Sequence, residues 1–470
     1  MSIDHYSGSE TTNKLALEMP GERMRGLTIG WLSLALGSLV VGGLLTVVIV
    51  LSRTPYVQDI FPWVDLFHTA LVVHVDLTVL VWFLGMAGVI WSVNSRSDCL
   101  RCGWMALILC ATGAVIISLS PFLGSSSPLM INYIPILNDP LFFSGLMIFG
   151  GGFLVLVLRG LFFSRPIGMR VTGQGALRFG LYSALISAVM ALGALLASWL
   201  GIPASIQGEY YYELLFWGGG HTLQFVHIQL MLVCWLWLAT ESGIASRLTP
   251  RTVLLLFAFG LIPVLMTPIA YFMYDAGSAD HQIAMTWLMK FGGGLAALPI
   301  SLVVLFNLAN SLRGPSQPSP ERSALFSSII LFGVGGIIGF MIAGSNVTVP
   351  AHYHGSIVAV TLAYMGVTYH LLPLLGFRRP TGRLVILQPW IYASGQLMHV
   401  LGLAWSGGYG VQRKTAGDAQ GLDGIEQIAG MGLMGLGGLV AVVGGILFLV
   451  IVFKAMWPEK RVSIPGGQAR

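Results

Sequence analysis

Two histidines stand one residue apart in the stretch PAHYHGSIVAVTLAYMGVTYHLLP, which covers residues 350–373 and is otherwise mostly apolar. Successive residues of an α-helix are rotated by about 100°, so positions i and i+2 lie about 200° apart. His352 and His354 would therefore point to nearly opposite sides of one helix. Such a pair is poorly placed to chelate one metal ion, but each imidazole can ligate a different flat cofactor that flanks the helix.

Nine of the ten histidines lie within or at the ends of apolar segments. Ionisable side chains inside a membrane are costly and are usually functional. For any one of them the alternative is a hydrogen-bonded histidine between helices. Several fall near one predicted leaflet, and these are His74, His221, His352, His354 and His399. Their convergence favours ligation of a metal or of haem iron.

The segments that must position these histidines are unusually apolar. Of the 470 residues, 55% are hydrophobic and 9% are charged, and the mean hydropathy is +0.81. Soluble domains carry about 25% charged residues, so we predict an all-α, polytopic membrane protein with 12 transmembrane helices. The predicted spans are 27–51, 68–94, 102–123, 140–164, 177–202, 212–240, 252–274, 282–308, 324–347, 352–377, 384–408 and 428–455. They form one membrane domain over 26–457, between tails at 1–25 and 458–470.

Lys and Arg are distributed unevenly between the two predicted sides. The tails and the loops on their side hold 20 of the 24, the opposite loops hold Arg53, Arg413 and Lys414, and Lys290 lies inside a span. This bias predicts that both termini are cytoplasmic. We expect the membrane to be the inner membrane of a bacterium or archaeon. The net charge of +5 follows from the same bias and does not indicate nucleic-acid binding.

Two of the four cysteines form the motif CLRC at 99–102 in a predicted cytoplasmic loop. A c-type haem site would need histidine after the second cysteine, where Gly103 stands. We therefore expect Cys99 and Cys102 to be reduced thiols.

Four motifs resemble those of one known family, the catalytic subunit of the haem–copper oxidase superfamily, which includes terminal oxidases and nitric oxide reductases. VPAHYHGSIVAVTLAYMGVTYHLLP resembles its tenth helix, and ALVVHVDLTVLVWFLGMAG (70–88) resembles its second. FWGGGHTLQFVHIQLM (216–231) resembles the sixth helix, and QLMHVLGLAWSGGYGVQRK (396–414) the end of the eleventh. The resemblance covers essentially the whole chain in helix order.

The resemblance implies two haems and one further metal ion. His74 and His354 would ligate a low-spin haem, and His352 a high-spin haem whose other face is open to substrate. His221 would ligate the second metal, which is copper or iron. Arg413 would bind a haem propionate. Both haems are expected to be of b type.

The chain departs from the family at the second metal. Oxidases carry a His-His pair at the outer end of helix seven; counted back from Pro299, that pair falls here on Tyr274 and Asp275. A carboxylate oxygen is a harder ligand than imidazole, so Asp275 would suit iron as well as copper. His281 in the following segment and His227 in the sixth span are alternative ligands.

A second departure is the residue four positions after the span-6 histidine, which is Phe225. The common oxygen reductases carry a tyrosine there or supply one from helix seven, and Tyr271 or Tyr274 would have to replace it here. The best-known nitric oxide reductases carry glutamate at that position, where Gln224 is the nearest polar group.

The polar residues for proton supply also differ from those of a pumping oxidase. Val303 stands where the family's channel has lysine or threonine. Carboxylates are instead found toward the predicted outer side, and the candidate proton donors are Glu209, Glu213 and Asp280. Protons entering from outside are expected for a non-pumping reductase.

Together these features favour a nitric oxide reductase that catalyses 2 NO + 2 e⁻ + 2 H⁺ → N₂O + H₂O. A terminal oxygen reductase of the cytochrome oxidase type is the alternative, followed by nitric oxide dismutase. Outside enzymes, the alternative is a secondary transporter that couples protons through histidine. The chain has no motif for haem c or binuclear copper. Electrons are therefore expected from a partner subunit that carries one of these, or from quinol.

Overall fold

The computed structural model describes residues 13–19, 21–61, 63–123, 127–244, 248–311 and 318–457. The predicted tail at 458–470 and most of the tail at 1–25 lie outside the described residues.

Long helices account for most of the described chain and confirm the predicted all-α class. They are α1 (Glu22–Leu51), α2 (Val64–Val93), α3 (Leu100–Leu123), α4 (Pro140–Phe163), α5 (Gly173–Gly201), α6 (Gly208–Glu241), α7 (Pro250–Met273), α8 (Ala279–Ser311), α9 (Pro320–Met341), α10 (Thr348–Leu374), α11 (Arg383–Gly408) and α12 (Ile425–Met456). Within the described ranges, eleven of the twelve are long and apolar enough to cross a membrane. The remaining helix, α11, contains the polar residues Gln388, Gln396 and His399 and packs lengthwise against α12. The chain is a multi-pass membrane protein.

Helices α2 and α8 are both irregular. Helix α2 passes through a π-helical segment, Asp76–Val81, that begins two residues after His74. Helix α8 consists of Ala279–Gly292 and Gly294–Ser311, joined at Gly293. π-Helical turns widen the helix locally and are often found at functional sites.

One end of the bundle, which we call the site face, holds the connections that precede the even-numbered helices. There, strands β1 (Ser127–Leu129) and β2 (Ile136–Asn138) form a short antiparallel pair, with Ser127 opposite Asn138. The loop between the two strands turns toward the bundle. This loop is the non-helical element that matters most for the site described below.

Glycine allows a close helix approach between α9 and α10. A Cβ on Gly335 would overlap the backbone of Gly355, and a Cβ on Gly355 would overlap that of Gly335. Small residues at helix crossings of this kind let backbones pack directly in membrane proteins.

The expectation for the CLRC motif was wrong. Cys99 and Cys102 are joined in a disulfide across the turn before α3, with their Cα atoms 5.4 Å apart. A separation of three residues around a turn brings two cysteines within the Cα range that a disulfide spans.

Candidate functional site

His352 is oriented by a hydrogen bond to the neighbouring helix. Its Nδ1 donates to the carbonyl oxygen of Gly335 on α9 at 2.7 Å, which the glycine contact between α9 and α10 makes possible. A donated Nδ1 proton leaves Nε2 as a lone-pair nitrogen, the form that ligates a metal. His352 therefore fits the role of proximal ligand to a haem iron.

His354, two residues further along α10, faces different helices. Its ring centroid lies 4.8 Å from that of His399 on α11, and it interacts electrostatically with His74 on α2. The Nδ1 of His74 donates to the carbonyl oxygen of Gly42 at 2.9 Å, with the Thr46 hydroxyl 3.1 Å away. The Nε2 of His74 is thus left available, and His74 and His354 fit a pair of axial ligands from two helices.

His221 lies buried in the middle of α6 and makes two polar contacts. Its Nδ1 donates to the carbonyl oxygen of Trp217 at 2.9 Å. Its Nε2 accepts a hydrogen bond from the hydroxyl of Tyr133 at 2.8 Å. The ring is therefore fixed with Nε2 as the nitrogen that a metal would bind.

His281, in the first turn of α8, is fully buried, and neither ring nitrogen has a hydrogen-bond partner. Its ring centroid lies 4.4 Å from that of Tyr271, and it is close enough to His221 to interact with it electrostatically. Buried polar atoms without partners are rare in native proteins. Two orphan imidazole nitrogens beside a second oriented histidine fit a metal site.

The other candidates for the second metal are placed elsewhere. Asp275 and Tyr274 are exposed in the segment between α7 and α8, and Asp280 is exposed at the start of α8. His227 packs against Phe83 of α2, with ring centroids 4.8 Å apart. Over the described ranges, no group of three or more His, Cys, Asp or Glu residues is arranged to hold a metal ion.

The loop between β1 and β2 connects His221 to the site face through hydrogen bonds. Glu213, eight residues before His221 on α6, accepts hydrogen bonds from the backbone N–H of Asn132, at 2.7 Å, and from its side-chain amide. Arg413 donates to the Asn132 carbonyl oxygen Oδ1 at 3.1 Å, and also to Ser345. The predicted residues Glu213 and Arg413 therefore meet at Asn132, next to Tyr133.

Burial and nearby charge shape the protonation of this network. Burial raises the pKa of the Tyr133 phenol well above its ordinary value, and Glu213 raises it further, whereas a hydrogen bond with Gln224 opposes the shift. Lys414 donates to the carbonyl oxygen of Met130. Burial lowers the pKa of Lys414 to about 8, helped by Arg413 and opposed by Glu213.

Two further predicted residues lie at the margin of the site. The Tyr271 hydroxyl is bonded to Ser198 at 2.7 Å, so its ring, but not its hydroxyl, is directed at His281. Glu209 is exposed at the start of α6, where it interacts electrostatically with Lys414.

Tyr133 was not predicted from the sequence, although the glycines that precede His221 indicate that another group packs closely against α6. In the motif GGGH, a Cβ on Gly220 would fall on the ring of Tyr133, and a Cβ on Gly218 would fall on the hydroxyl of Tyr271. The glycines before His221 thus leave room for one tyrosine on each side of the helix.

Arg53 was also missed, because it lies in the connection between α1 and α2. It is buried, and it donates to Gln420 at 3.2 Å and to the carbonyl oxygen of Gln412 at 3.3 Å. Burial lowers its pKa to about 10, with Tyr353 opposing. No carboxylate pairs with Arg53 among the described residues. A buried cation bonded only to neutral groups suits an anionic ligand such as a haem propionate.

Comparison with known proteins gives one family and two relatives. The family model of cytochrome c and quinol oxidase polypeptide I matches residues 26–447. An uncharacterized protein of Rickettsia prowazekii (strain Madrid E) is 28% identical over 504 aligned positions, which cover 93% of this chain and 97% of the relative. An uncharacterized protein of Aquifex aeolicus (strain VF5) is 28% identical over 358 positions, covering 75% of this chain and 86% of the relative.

Proposed function

Because the chain belongs to the cytochrome c and quinol oxidase polypeptide I family and is thus a haem–copper-type oxidoreductase, we propose that it reduces nitric oxide to nitrous oxide. The proposed reaction is 2 NO + 2 e⁻ + 2 H⁺ → N₂O + H₂O. It would take place between a high-spin haem and the second metal, without proton pumping.

The proposal assigns the haems and the metal to the oriented histidines. His74 and His354 hold the low-spin haem, and His352 holds the high-spin haem. His221 and His281 hold the second metal, in which His281 takes the place that the sequence suggested for Asp275. When bound, these groups supply electrons one at a time and bind two substrate molecules side by side. Backbone carbonyl oxygens orient His74, His352 and His221, and burial keeps water from the site.

The observation that carries the proposal is the acidic path from the site face. Glu213 bonds Asn132, and the adjacent Tyr133 bonds His221, so a carboxylate on that face connects to the metal ligand through two residues. Protons that reach the site from the side opposite the tails have not crossed the membrane from the tail side. Their uptake therefore moves no protons in the pumping direction. The buried Phe225, four residues after His221, is also consistent with chemistry that needs no tyrosine at that position.

One observation favours the oxygen-reductase alternative. The Tyr133 hydroxyl lies 2.8 Å from His221 Nε2, so a phenol is present at the site even though position 225 is phenylalanine. A phenol next to the second metal would be available to donate a proton and an electron when an O–O bond is split.

We also propose a membrane, an orientation and an electron donor for the protein. We place the chain in the inner membrane of a bacterium or archaeon, and we place both termini in the cytoplasm because of the distribution of basic residues. Electrons would come from a partner subunit with haem c or binuclear copper, or from quinol.

The experiment is a turnover assay of the full-length protein in proteoliposomes, with a reduced electron mediator and either NO or O₂. The proposal expects N₂O from NO, with protons consumed from the vesicle side that faces Glu213 and no net pumping. O₂ consumption with proton translocation, and little N₂O, would instead identify an oxygen reductase. O₂ release from NO would identify a dismutase.

A further inference from the structure

Tyr133 lies where a ligand of the second metal would lie. Its hydroxyl oxygen is 2.8 Å from Nε2 of His221, whose Nδ1 is already bonded to Trp217. Two donor atoms that each bind one metal ion at about 2.0–2.2 Å are themselves about 2.8–3.6 Å apart when the angle at the metal is near 90–110°. The observed separation of 2.8 Å lies at the short end of the range for two neighbouring ligands of one ion.

The backbone of Tyr133 is held in a conformation that side chains avoid. Its φ angle is 68°, in the left-handed region. A bulky residue with positive φ persists when its surroundings over-determine it, and such residues cluster at ligand sites. The surroundings here are the bonds of Asn132 to Glu213 and Arg413, and the bond of Lys414 to Met130. They fix the segment of the loop that immediately precedes Tyr133.

The helix opposite is shaped to accept the ring. A Cβ on Gly220 would overlap the ring atoms of Tyr133, so only glycine lets this ring approach α6 one residue before His221. The glycine and the fixed loop together place the hydroxyl within hydrogen-bond distance of the imidazole, with the two ring centroids 4.8 Å apart.

The site also lacks a third ligand of the usual types. His221 and His281 provide two nitrogens, and in the described part of the chain no third His, Cys, Asp or Glu joins them. Metal sites that act on substrates in proteins typically have three protein ligands and an open position. Tyr133 is the polar side chain bonded directly to the available nitrogen of His221.

We propose that Tyr133 supplies an oxygen ligand to the second metal and completes a donor set with His221 and His281. Tyr133 would hold the metal as phenolate, and its proton would pass to water when the metal binds. An anionic oxygen among imidazoles makes the set harder, which favours iron over Cu(I). The proposal rests on the presence of the family's second metal and not on the choice of NO as substrate.

The test is resonance Raman spectroscopy of the oxidised, purified full-length protein, in a preparation whose elemental analysis shows a stoichiometric second metal. Protein made with ring-deuterated tyrosine identifies tyrosinate modes by their isotope shift. We expect metal-bound tyrosinate modes in the wild type, complete loss of them in Tyr133→Phe, and their retention in Tyr212→Phe. Tyr212 is a matched control because it lies on α6 and stacks on Phe143, away from His221.

Absence of tyrosinate modes from the metal-loaded wild type would overturn the proposal, and that measurement needs no variant to fold. Unchanged modes in Tyr133→Phe would overturn it as well. The outcome is separable from the substrate assignment. Protein that makes N₂O without tyrosinate modes contradicts only the ligand proposal, and protein that reduces O₂ with those modes intact contradicts only the nitric oxide proposal.

Discussion

The imidazole rings of His354 and His399 lie with their centroids 4.8 Å apart and their planes at 63°. The Nδ1 of His399 donates to the carbonyl oxygen of Met434 at 3.0 Å, in the same way that His74 donates to Gly42. Three imidazoles with these orientations therefore meet between α2, α10 and α11. One haem iron would bind at most two of these imidazoles, so the third would lie beside the low-spin haem without ligating it.

Alanine variants distinguish the ligands from the neighbour. We expect His74→Ala and His354→Ala to abolish the low-spin haem signal, because each would remove one of the two imidazoles proposed to bind its iron. His399→Ala should retain that signal and both haems. The measurement is low-spin ferric EPR together with a haem count per chain. A low-spin signal that survives in His354→Ala but disappears in His399→Ala would transfer the axial role to His399.

The histidines on regular helices could be predicted from the sequence, whereas the residues that complete the site could not. Helical periodicity alone places His352 and His354 on opposite sides of α10, and hydropathy places the span that holds them. Tyr133 lies in a loop with no periodicity, and its position depends on Glu213 and Arg413, which are far away in the sequence. The choice between Asp275 and His281 depends on where α7 ends and α8 begins, and helix ends are poorly defined by hydropathy.

We predict that His281, and not Asp275, holds the second metal. We expect His281→Ala to lower metal affinity about tenfold or more, because a buried imidazole with two unbonded nitrogens is removed. Asp275→Ala should leave metal content and both haems unchanged, since that carboxylate is exposed. Elemental analysis after dialysis against a chelator measures both. Loss of metal in Asp275→Ala with full content in His281→Ala would restore the aspartate as the ligand.

Glu213 should control proton supply from the site face. Glu213→Gln keeps a hydrogen-bonding side chain beside Asn132 but cannot carry a proton, so we expect turnover to fall about 10- to 100-fold, with the haems intact. The matched control is Glu209→Gln, four residues earlier and exposed, which should stay near the wild-type rate. Steady-state turnover and the rate of proton uptake from the outer side check this. Equal rates in Glu213→Gln and the wild type would exclude the acidic path.

Lys414 should make the stability of the folded protein depend on pH. Burial lowers its pKa to about 8 in the folded protein, whereas an unfolded lysine titrates near 10.4. Between these values the unfolded chain binds more protons than the folded protein, so folded stability rises with pH in this window. Lys414→Arg keeps a donor for Met130 but stays charged. The Tm of the wild type minus that of Lys414→Arg should therefore increase as pH rises from about 8 to about 10. A Tm difference that stays constant or falls over this pH range would show that the pKa of Lys414 is not lowered in the folded protein.

Arg53 should raise the reduction potential of the low-spin haem. Its guanidinium is buried, interacts electrostatically with His354 and His399, and has a pKa of about 10, so it is charged at neutral pH. A fixed positive charge near a haem iron favours the reduced form, whose net charge is lower by one. Removal of that charge in Arg53→Met should lower the potential by an amount of the order of 1 kcal/mol, or about 40 mV for one electron.

The matched variant, Arg53→Lys, keeps the charge and should remain within about a third of that shift of the wild type. Potentiometric titration followed by the low-spin haem absorbance measures all three proteins. If Arg53→Met and Arg53→Lys shift the potential equally, the guanidinium acts through its hydrogen bonds to Gln420 and Gln412 rather than through its charge. If neither variant shifts it, the arginine does not face the low-spin haem, and its buried charge is balanced elsewhere.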